Sequence, residues 1–223
     1  MGIEEIFSGV FKIDGKLATK NLTPGYTVYG ERTMKIEGEE YRFWDPYRSK
    51  LGAAIMLGLK ELPIESGDNI LYLGAANGTT PSHMSDIVGS EGLVFCVEFA
   101  PRSMRDLIPV CEKKQNMLPI LADARKPMDY RKYIDAAECL YEDVAQPDQD
   151  EILIKNARQF LKKGGCAMLA IKSQSVDVTK EPEEIYRRVL EKLGKHFKIL
   201  ESYELSPFDK DHLFVVMRYM QGH

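Results

Sequence analysis

The sequence predicts an α/β fold: a seven-stranded, mostly parallel sheet with one antiparallel strand, preceded by a small N-terminal antiparallel β subdomain. Three observations predict it. From about residue 46, short apolar runs alternate with amphipathic segments, the pattern of strand–helix units whose right-handed crossovers build a parallel sheet. The last two apolar runs have no helix between them and must therefore pair antiparallel. Before residue 46, short apolar runs are broken by Gly and Pro roughly every 8 to 12 residues, which suits a small antiparallel sheet. The 223 residues suffice for one substantial domain plus an appendage, and the pattern divides them into a subdomain over 1–45 and a larger domain over 46–223.

In the first part, residues 10–13, 26–28, 34–36 and 41–44 read as short strands. Asp14-Gly15-Lys16, Pro24-Gly25 and Glu37-Gly38-Glu39 are the turns between them. The second part opens with apolar residues at helical spacing over 51–59. Strands follow at 69–73, 93–98, 117–122, 137–142 and 166–172. The helices between them cover 81–88, 102–114 and 149–161, the last ended by Lys-Lys-Gly-Gly. A charged helix at 182–193 precedes the final pair of strands, 197–205 and 212–219.

Composition narrows the function classes. Charged residues make up 29% and the net charge is −4, which excludes a stand-alone, non-specific nucleic-acid binder with a strong basic excess. No stretch reaches the roughly 18 apolar residues of a membrane helix, and no leader pattern is present, so the expectation is a cytoplasmic protein with no membrane partner. Cys96, Cys111, Cys139 and Cys166 form no CxxC pair; three sit in apolar runs that read as strands and Cys111 in a helix-like segment, as buried thiols in a reducing compartment do. With four scattered His and no ligand spacing, no metal site is expected.

The chemistry starts at Gly74-Ala75-Ala76-Asn77-Gly78-Thr79-Thr80, which follows a strand and opens a helix. Small residues let the backbone approach a ligand, and the helix start offers free N–H groups. Glu98 ends the next strand about 20 residues after Gly78, where a carboxylate can accept from both hydroxyls of a nucleoside ribose. The loop alone leaves three readings open: a dinucleotide site with a degenerate glycine run, a site for S-adenosylmethionine, or a tight turn without a ligand. Asp123-Ala124 ends the third strand and can read an adenine edge; an Asp that merely caps its loop is the alternative.

Two more polar residues stand at strand ends. Asp143 follows the fourth strand, and Lys172 ends the apolar run Cys166-Ala167-Met168-Leu169-Ala170-Ile171. If the strands are neighbours, both side chains border the crevice. A structural ion pair is one reading. The other is methyl transfer to an alcohol, whose proton must be removed as it attacks. A lysine can accept it where a neighbouring cation or desolvation favours its neutral form.

Taken in order, these motifs resemble the fibrillarin family. Trp44-Asp45-Pro46-Tyr47-Arg48-Ser49-Lys50-Leu51-Gly52-Ala53 is similar to its signature W-x-P-x-R-S-K-L-x-A. The segments 72–80, Asp143-Val144-Ala145-Gln146, Ile171-Lys172-Ser173 and His212-Leu213-Phe214-Val215-Val216 match it as well. The resemblance implies a Rossmann-like class I methyltransferase, an S-adenosylmethionine-dependent RNA ribose 2'-O-methyltransferase, with Lys50, Asp143, Lys172 and His212 as the catalytic set. It also implies cofactor contacts at Gly74, Ala76, Asn77, Thr79, Thr80, Glu98, Phe99, Asp123, Ala124, Asp143 and Gln146, with Phe99 stacking on adenine.

The resemblance further implies assembly in a box C/D ribonucleoprotein with a guide RNA, a Nop-family scaffold protein and a kink-turn-binding ribosomal-type protein, acting on rRNA or tRNA. The archaeal form fits best, because no Gly-Arg-rich arm precedes the β subdomain. Lys155, Arg158 and Lys162, with Arg102 and Arg105, are candidate RNA guides or simply solvated faces. Three alternatives remain at this point: a stand-alone FtsJ-type RNA methyltransferase, whose fourth catalytic residue is usually Glu; a non-catalytic ribonucleoprotein subunit; and a nicotinamide-dependent oxidoreductase.

Overall fold

In the computed structural model, which describes residues 2–177 and 179–220, the chain opens with five antiparallel strands: β1 (Ile3–Phe7), β2 (Val10–Ile13), β3 (Lys16–Lys20), β4 (Thr33–Ile36) and β5 (Glu39–Phe43), ordered β1-β2-β3-β5-β4. The expected strands at 10–13, 34–36 and 41–44 are present. The one expected at 26–28 is not. There the amides of Val28 and Tyr29 donate to the Glu31 carboxylate at 2.8–3.0 Å, so a side chain takes the hydrogen bonds that a ladder needs. β1 and β3 were not expected, because Glu4, Glu5, Lys16 and Lys20 break the apolar runs.

Next come α1 (Lys50–Met56), β6 (Asn69–Leu73), α2 (Thr79–Val88), β7 (Leu93–Glu98), α3 (Pro101–Lys113) and β8 (Met117–Leu121). They are followed by α4 (Pro127–Tyr130), β9 (Ala137–Glu142), α5 (Gln149–Phe160), β10 (Leu161–Lys172), α6 (Ser173–Val176), α7 (Pro182–Leu193), β11 (Phe197–Glu204) and β12 (His212–Tyr219). Local chemistry sets several of these ends. Proline stands in the first turn of α3 and α7, where its missing N–H costs nothing. α5 carries Asp150 and Glu151 in its first turn and Arg158 in its last, opposing the helix dipole. β10 starts before the expected residue 166: Leu161 pairs with Ala137, the register slips, and regular pairing resumes at Cys166. Lys162 therefore lies beyond the helix and pairs with Glu138.

The large sheet is ordered β11-β12-β10-β9-β6-β7-β8, with only β12 antiparallel to its neighbours. Strand order reverses beside β6: β7 and β8 extend one way, β9 and β10 the other. That switch point leaves a crevice at the carboxyl ends of β6 and β9. Alternation divides the core into two layers. Ile70, Tyr72, Tyr141 and Phe214 face α1, α2 and the N-terminal sheet, while Leu71, Leu73, Leu140 and Val215 face α5 and α7. All four cysteines are buried and unpaired.

A buried charge cluster joins the two sheets. Arg42 of β5 meets Glu31 at 2.7 Å, Asp86 of α2 at 3.0 Å and Ser82 Oγ at 2.9 Å, while Lys114 reaches Asp86 at 2.5 Å. The four charges sum to zero, the condition under which buried ions are tolerated. His83 completes the layer, stacked on Trp44 with its nitrogens bonded to Thr19 and Tyr29. Burial first, then Arg42 and Lys114, holds this imidazole well below its usual pKa.

Candidate active site

The turn from β6 to α2 is made by backbone rather than side chains. Gly74 sits at φ +82°, and a Cβ there would lie 2.5 Å from the carbonyl oxygen of Asp143. Gly78, at φ +88°, opens α2 where a Cβ would meet Leu107 at 3.0 Å. Between them Ala76 is left-handed, with φ 49°, which costs an L residue about 1–2 kcal/mol. Its amide is used: it donates to Glu98 Oε2 at 2.8 Å. The other carboxylate oxygen of Glu98 accepts from the Ala100 amide at 2.7 Å. Two amides therefore fix this carboxylate before any ligand arrives.

A cavity of about 290 Å³ opens at this switch point, close to the lower bound of small-ligand sites. Gly74, Ala76, Glu98, Phe99, Asp123, Ala124, Asp143, Gln146 and Lys172 all line it. Phe99 is 62% exposed at the rim, which rules out a core role for this ring. Asp123 is held by Arg125, whose Nε lies 3.0 Å away; these hydrogen bonds keep its carboxyl below the usual range. The Ala124 carbonyl accepts from Asn156 at 2.8 Å.

Three expected contacts lie outside the lining. Thr80 is buried and donates to Ser49 Oγ at 3.0 Å, tying α2 to the cap of α1. Thr79 bonds to Asn77, and neither faces the cavity.

Lys50, Asp143, Lys172 and His212 do converge. Lys50 Nζ lies 3.1 Å from Asp143 Oδ2, and Lys172 Nζ lies 2.9 Å from Asp143 Oδ1. The second of these is an ion-pair contact rather than an aligned hydrogen bond. Burial pushes the Asp143 carboxyl up, but the two ammonium groups outweigh it and hold it below the usual carboxylate range. Lys172 and His212 are direct partners across β10 and β12. All four side chains are about 18–19% exposed, shielded yet reachable.

Two residues of this region were not expected from the sequence. Asp209 joins the cluster: one oxygen is 3.0 Å from His212 Nδ1 and the other 3.6 Å from Lys50 Nζ. Its only sequence signal is an acid three residues before the histidine. Glu142, beside Asp143 but on the opposite sheet face, is 0% exposed, and neither oxygen has a partner among the described residues. Burial, then the charges of Asp150, Asp148 and Asp143, pushes its carboxyl well above the usual range.

A cavity with an anchored carboxylate on one wall and an exposed ring at its rim suits a nucleoside. Asp143 and Lys172 in its lining, with Lys50 paired to Asp143 from outside it, suit an alcohol that must be oriented and deprotonated. Comparison with known proteins points the same way. A sequence model described as Fibrillarin matches residues 2–221. The chain is 54% identical over 217 residues to the fibrillarin-like rRNA/tRNA 2'-O-methyltransferase of Pyrococcus abyssi, covering 95% of this chain and 96% of that one. It superposes with a TM-score of 0.90 on Aeropyrum pernix fibrillarin in complex with natively bound S-adenosyl-L-methionine, at 49% identity and covering 97% and 98% of the two chains. The fibrillarin chain of a fibrillarin/Nop5p complex also matches with a TM-score of 0.90, at 37% identity over 97% of this chain and 100% of that one.

Proposed function

Since this chain belongs to the fibrillarin family, we propose that it methylates ribose 2'-hydroxyls of rRNA or tRNA from S-adenosylmethionine, as the catalytic subunit of a box C/D ribonucleoprotein. One observation carries the reading: Asp143 and Lys172 line the same cavity as the amide-anchored Glu98, and Lys50 pairs with Asp143 from just outside that lining.

The cavity residues fit this cofactor. Glu98 would take the ribose hydroxyls, Phe99 the adenine face, Asp123 and the Ala124 backbone its edge, and Gly74, Ala76 and Gln146 the remaining wall. When bound, S-adenosylmethionine supplies an electrophilic methyl carbon that passes to oxygen as its bond to sulfur breaks. Lys172 orients the attacking 2'-hydroxyl and, in its neutral form, takes the proton as the O–H bond breaks. Asp143 positions the Lys172 and Lys50 side chains, one at each of its oxygens, and His212 joins the network through Asp209. Positioning supplies much of the acceleration in such a displacement.

The net charge of −4 supports a division of labour in which a guide RNA, a Nop-family scaffold and a kink-turn-binding protein contribute most of the RNA affinity. No helix among the described residues is long and apolar enough to cross a membrane. Assembled with guide RNA and partner proteins, wild-type protein should transfer labelled methyl groups to RNA ribose. Lys172→Ala should lower transfer at least about 100-fold and leave cofactor affinity within a few fold. Wild-type turnover in that variant removes Lys172 from the mechanism, and robust transfer by the isolated chain favours a stand-alone enzyme.

A further inference from the structure

Lys172 is the last residue of β10, and its main chain is held differently on its two sides. Toward β12 the ladder is intact: the Ser173 amide donates to the Asp211 carbonyl at 3.2 Å, and the Ser173 hydroxyl to the same oxygen at 3.1 Å. Antiparallel partners alternate between hydrogen-bonded and non-hydrogen-bonded pairs, so the adjoining pair, Lys172 with His212, is of the non-hydrogen-bonded kind. The Lys172 N–H and C=O therefore point the other way, toward β9. There the strand has ended. Its pairing with β10 stops at Glu142 and Leu169, and the Asp143 amide turns instead to the Leu73 carbonyl of β6 at 3.0 Å.

Gln149, the first residue of α5, stands in for the missing strand. Its Oε1 accepts from the Lys172 amide at 3.3 Å, and its Nε2 donates to the Lys172 carbonyl at 3.5 Å. A carboxamide carries the same donor and acceptor as a peptide group, so one side chain answers both. Gln149 is 0% exposed, and a main-chain group buried without a partner costs stability. It does not line the cavity that holds Glu98 and Lys172. Residues 144–148 join it to Asp143, so the connection that carries the carboxylate at one end grips the lysine at the other.

We propose that Gln149 is the positioning residue for Lys172: it ties the start of α5 to the end of β10 and so sets where the lysine main chain stands against Asp143. The inference rests on the function proposed above, in which Lys172 takes the proton of the attacking hydroxyl. The 2.9 Å contact between Lys172 Nζ and Asp143 Oδ1 then depends on a side chain outside the cavity. Displacing the end of β10 moves the ammonium group relative to both the carboxylate and the cavity, and the chemical step suffers while cofactor binding does not.

Gln149→Met keeps the length of the side chain and removes both bonds. Hydrogen exchange of the full chain, followed by NMR, should show the Lys172 amide exchanging at least about tenfold faster in the variant, with the Leu169 amide unchanged. In the assembled ribonucleoprotein kcat should fall about tenfold or more, since a misplacement of about 1 Å can cost about 100-fold. The RNA KM and the S-adenosylhomocysteine Kd should stay within about twofold. Lys172→Ala supplies the discriminating background. In it, Gln149→Met should lower the residual transfer less than about twofold, because a residue that acts through Lys172 has nothing left to act on. An equal loss in both backgrounds marks a general structural role and overturns the proposal; so does an unchanged kcat in the single variant, or an unchanged exchange rate at Lys172. If Gln149→Met does not fold, Gln149→Glu goes through the same cycle: it keeps the bond from the Lys172 amide but sets an oxygen against the Lys172 carbonyl. Amide exchange needs no turnover, so a wild-type particle that transfers no methyl group while the exchange rate responds counts against the proposed function alone.

Discussion

Glu98→Ala should weaken binding of S-adenosylhomocysteine, the unreactive product, by about 100-fold or more. Each carboxylate oxygen of Glu98 already accepts one backbone amide, from Ala100 at 2.7 Å and Ala76 at 2.8 Å. Each oxygen keeps a further acceptor site, and since Glu98 lines the cavity, the proposed reading gives one to each ribose hydroxyl. A hydrogen bond to a charged group contributes about 1.5–3 kcal/mol, so two give about 3–6 kcal/mol, part of which water recovers in the truncated site. A net loss near 3 kcal/mol is about 100-fold. The substitution also strips the Ala76 amide of its acceptor and so loosens a left-handed residue that has little else to hold it. Glu98→Gln discriminates further. Its carboxamide nitrogen must face one of the two amides, donor against donor, so affinity should fall between that of alanine and wild type. Isothermal titration calorimetry at fixed pH reads both variants, with thermal melts confirming the fold. A change under threefold in a folded Glu98→Ala protein would remove the ribose assignment.

Three further outcomes follow from the same geometry. Glu142 has a raised folded pKa, so wild-type stability should fall as pH rises above about 4.5, where the unfolded chain ionises and the folded one does not, by up to about 1.4 kcal/mol per pH unit. Glu142→Gln removes that slope; urea unfolding at pH 5 and pH 7 should show its advantage over wild type growing, and equal slopes would refute the buried neutral carboxyl. Arg42→Met leaves the buried Glu31 without its cation, a loss of about 3–5 kcal/mol. That is a Tm lower by about 6–20 °C in calorimetry, and a drop under 2 °C contradicts it. Asp209→Asn loosens Lys50 and His212 together, so kcat should fall about tenfold with the S-adenosylhomocysteine Kd unchanged; an unaltered kcat removes Asp209 from the site.

The large sheet was legible because its central strands are buried on both faces and read as unbroken apolar runs. For the same reason Lys172, a charge ending such a run, and Asp143, just beyond one, stood out, and Glu98 was marked by its spacing from the glycine turn. Lys50 and His212 carry no local pattern and entered only through the family resemblance. The N-terminal sheet was half legible: alternating charges hid β1 and β3, and the Glu31 side chain diverted the segment 26–28 from a ladder. Asp209 was illegible, since Asp209-Lys210-Asp211 reads as any solvated turn until β11 and β12 fold it back over Lys50. Glu142 looked like the polar end of a strand, and only its position beneath α5, in the apolar layer, shows it sealed from water.

The N-terminal sheet has a definite part in this arrangement. A parallel sheet with helices supplies Glu98, Asp143 and Lys172 from its strand ends, but Lys50 comes from outside it, on the first residue of α1. What fixes Lys50 is the chain leaving β5: Trp44 stacks on His83 of α2 with centroids 4.7 Å apart, and Ser49 caps α1 while accepting from Thr80 in the first turn of α2. The same strand sends Arg42 to Ser82 and Asp86 farther along α2. α2 begins at the end of the Gly74–Gly78 turn, so one helix is gripped along its length by the segment that also delivers Lys50. The distance between the Gly74–Gly78 turn and Lys50 is therefore set by the small sheet and its buried charges rather than by the large one.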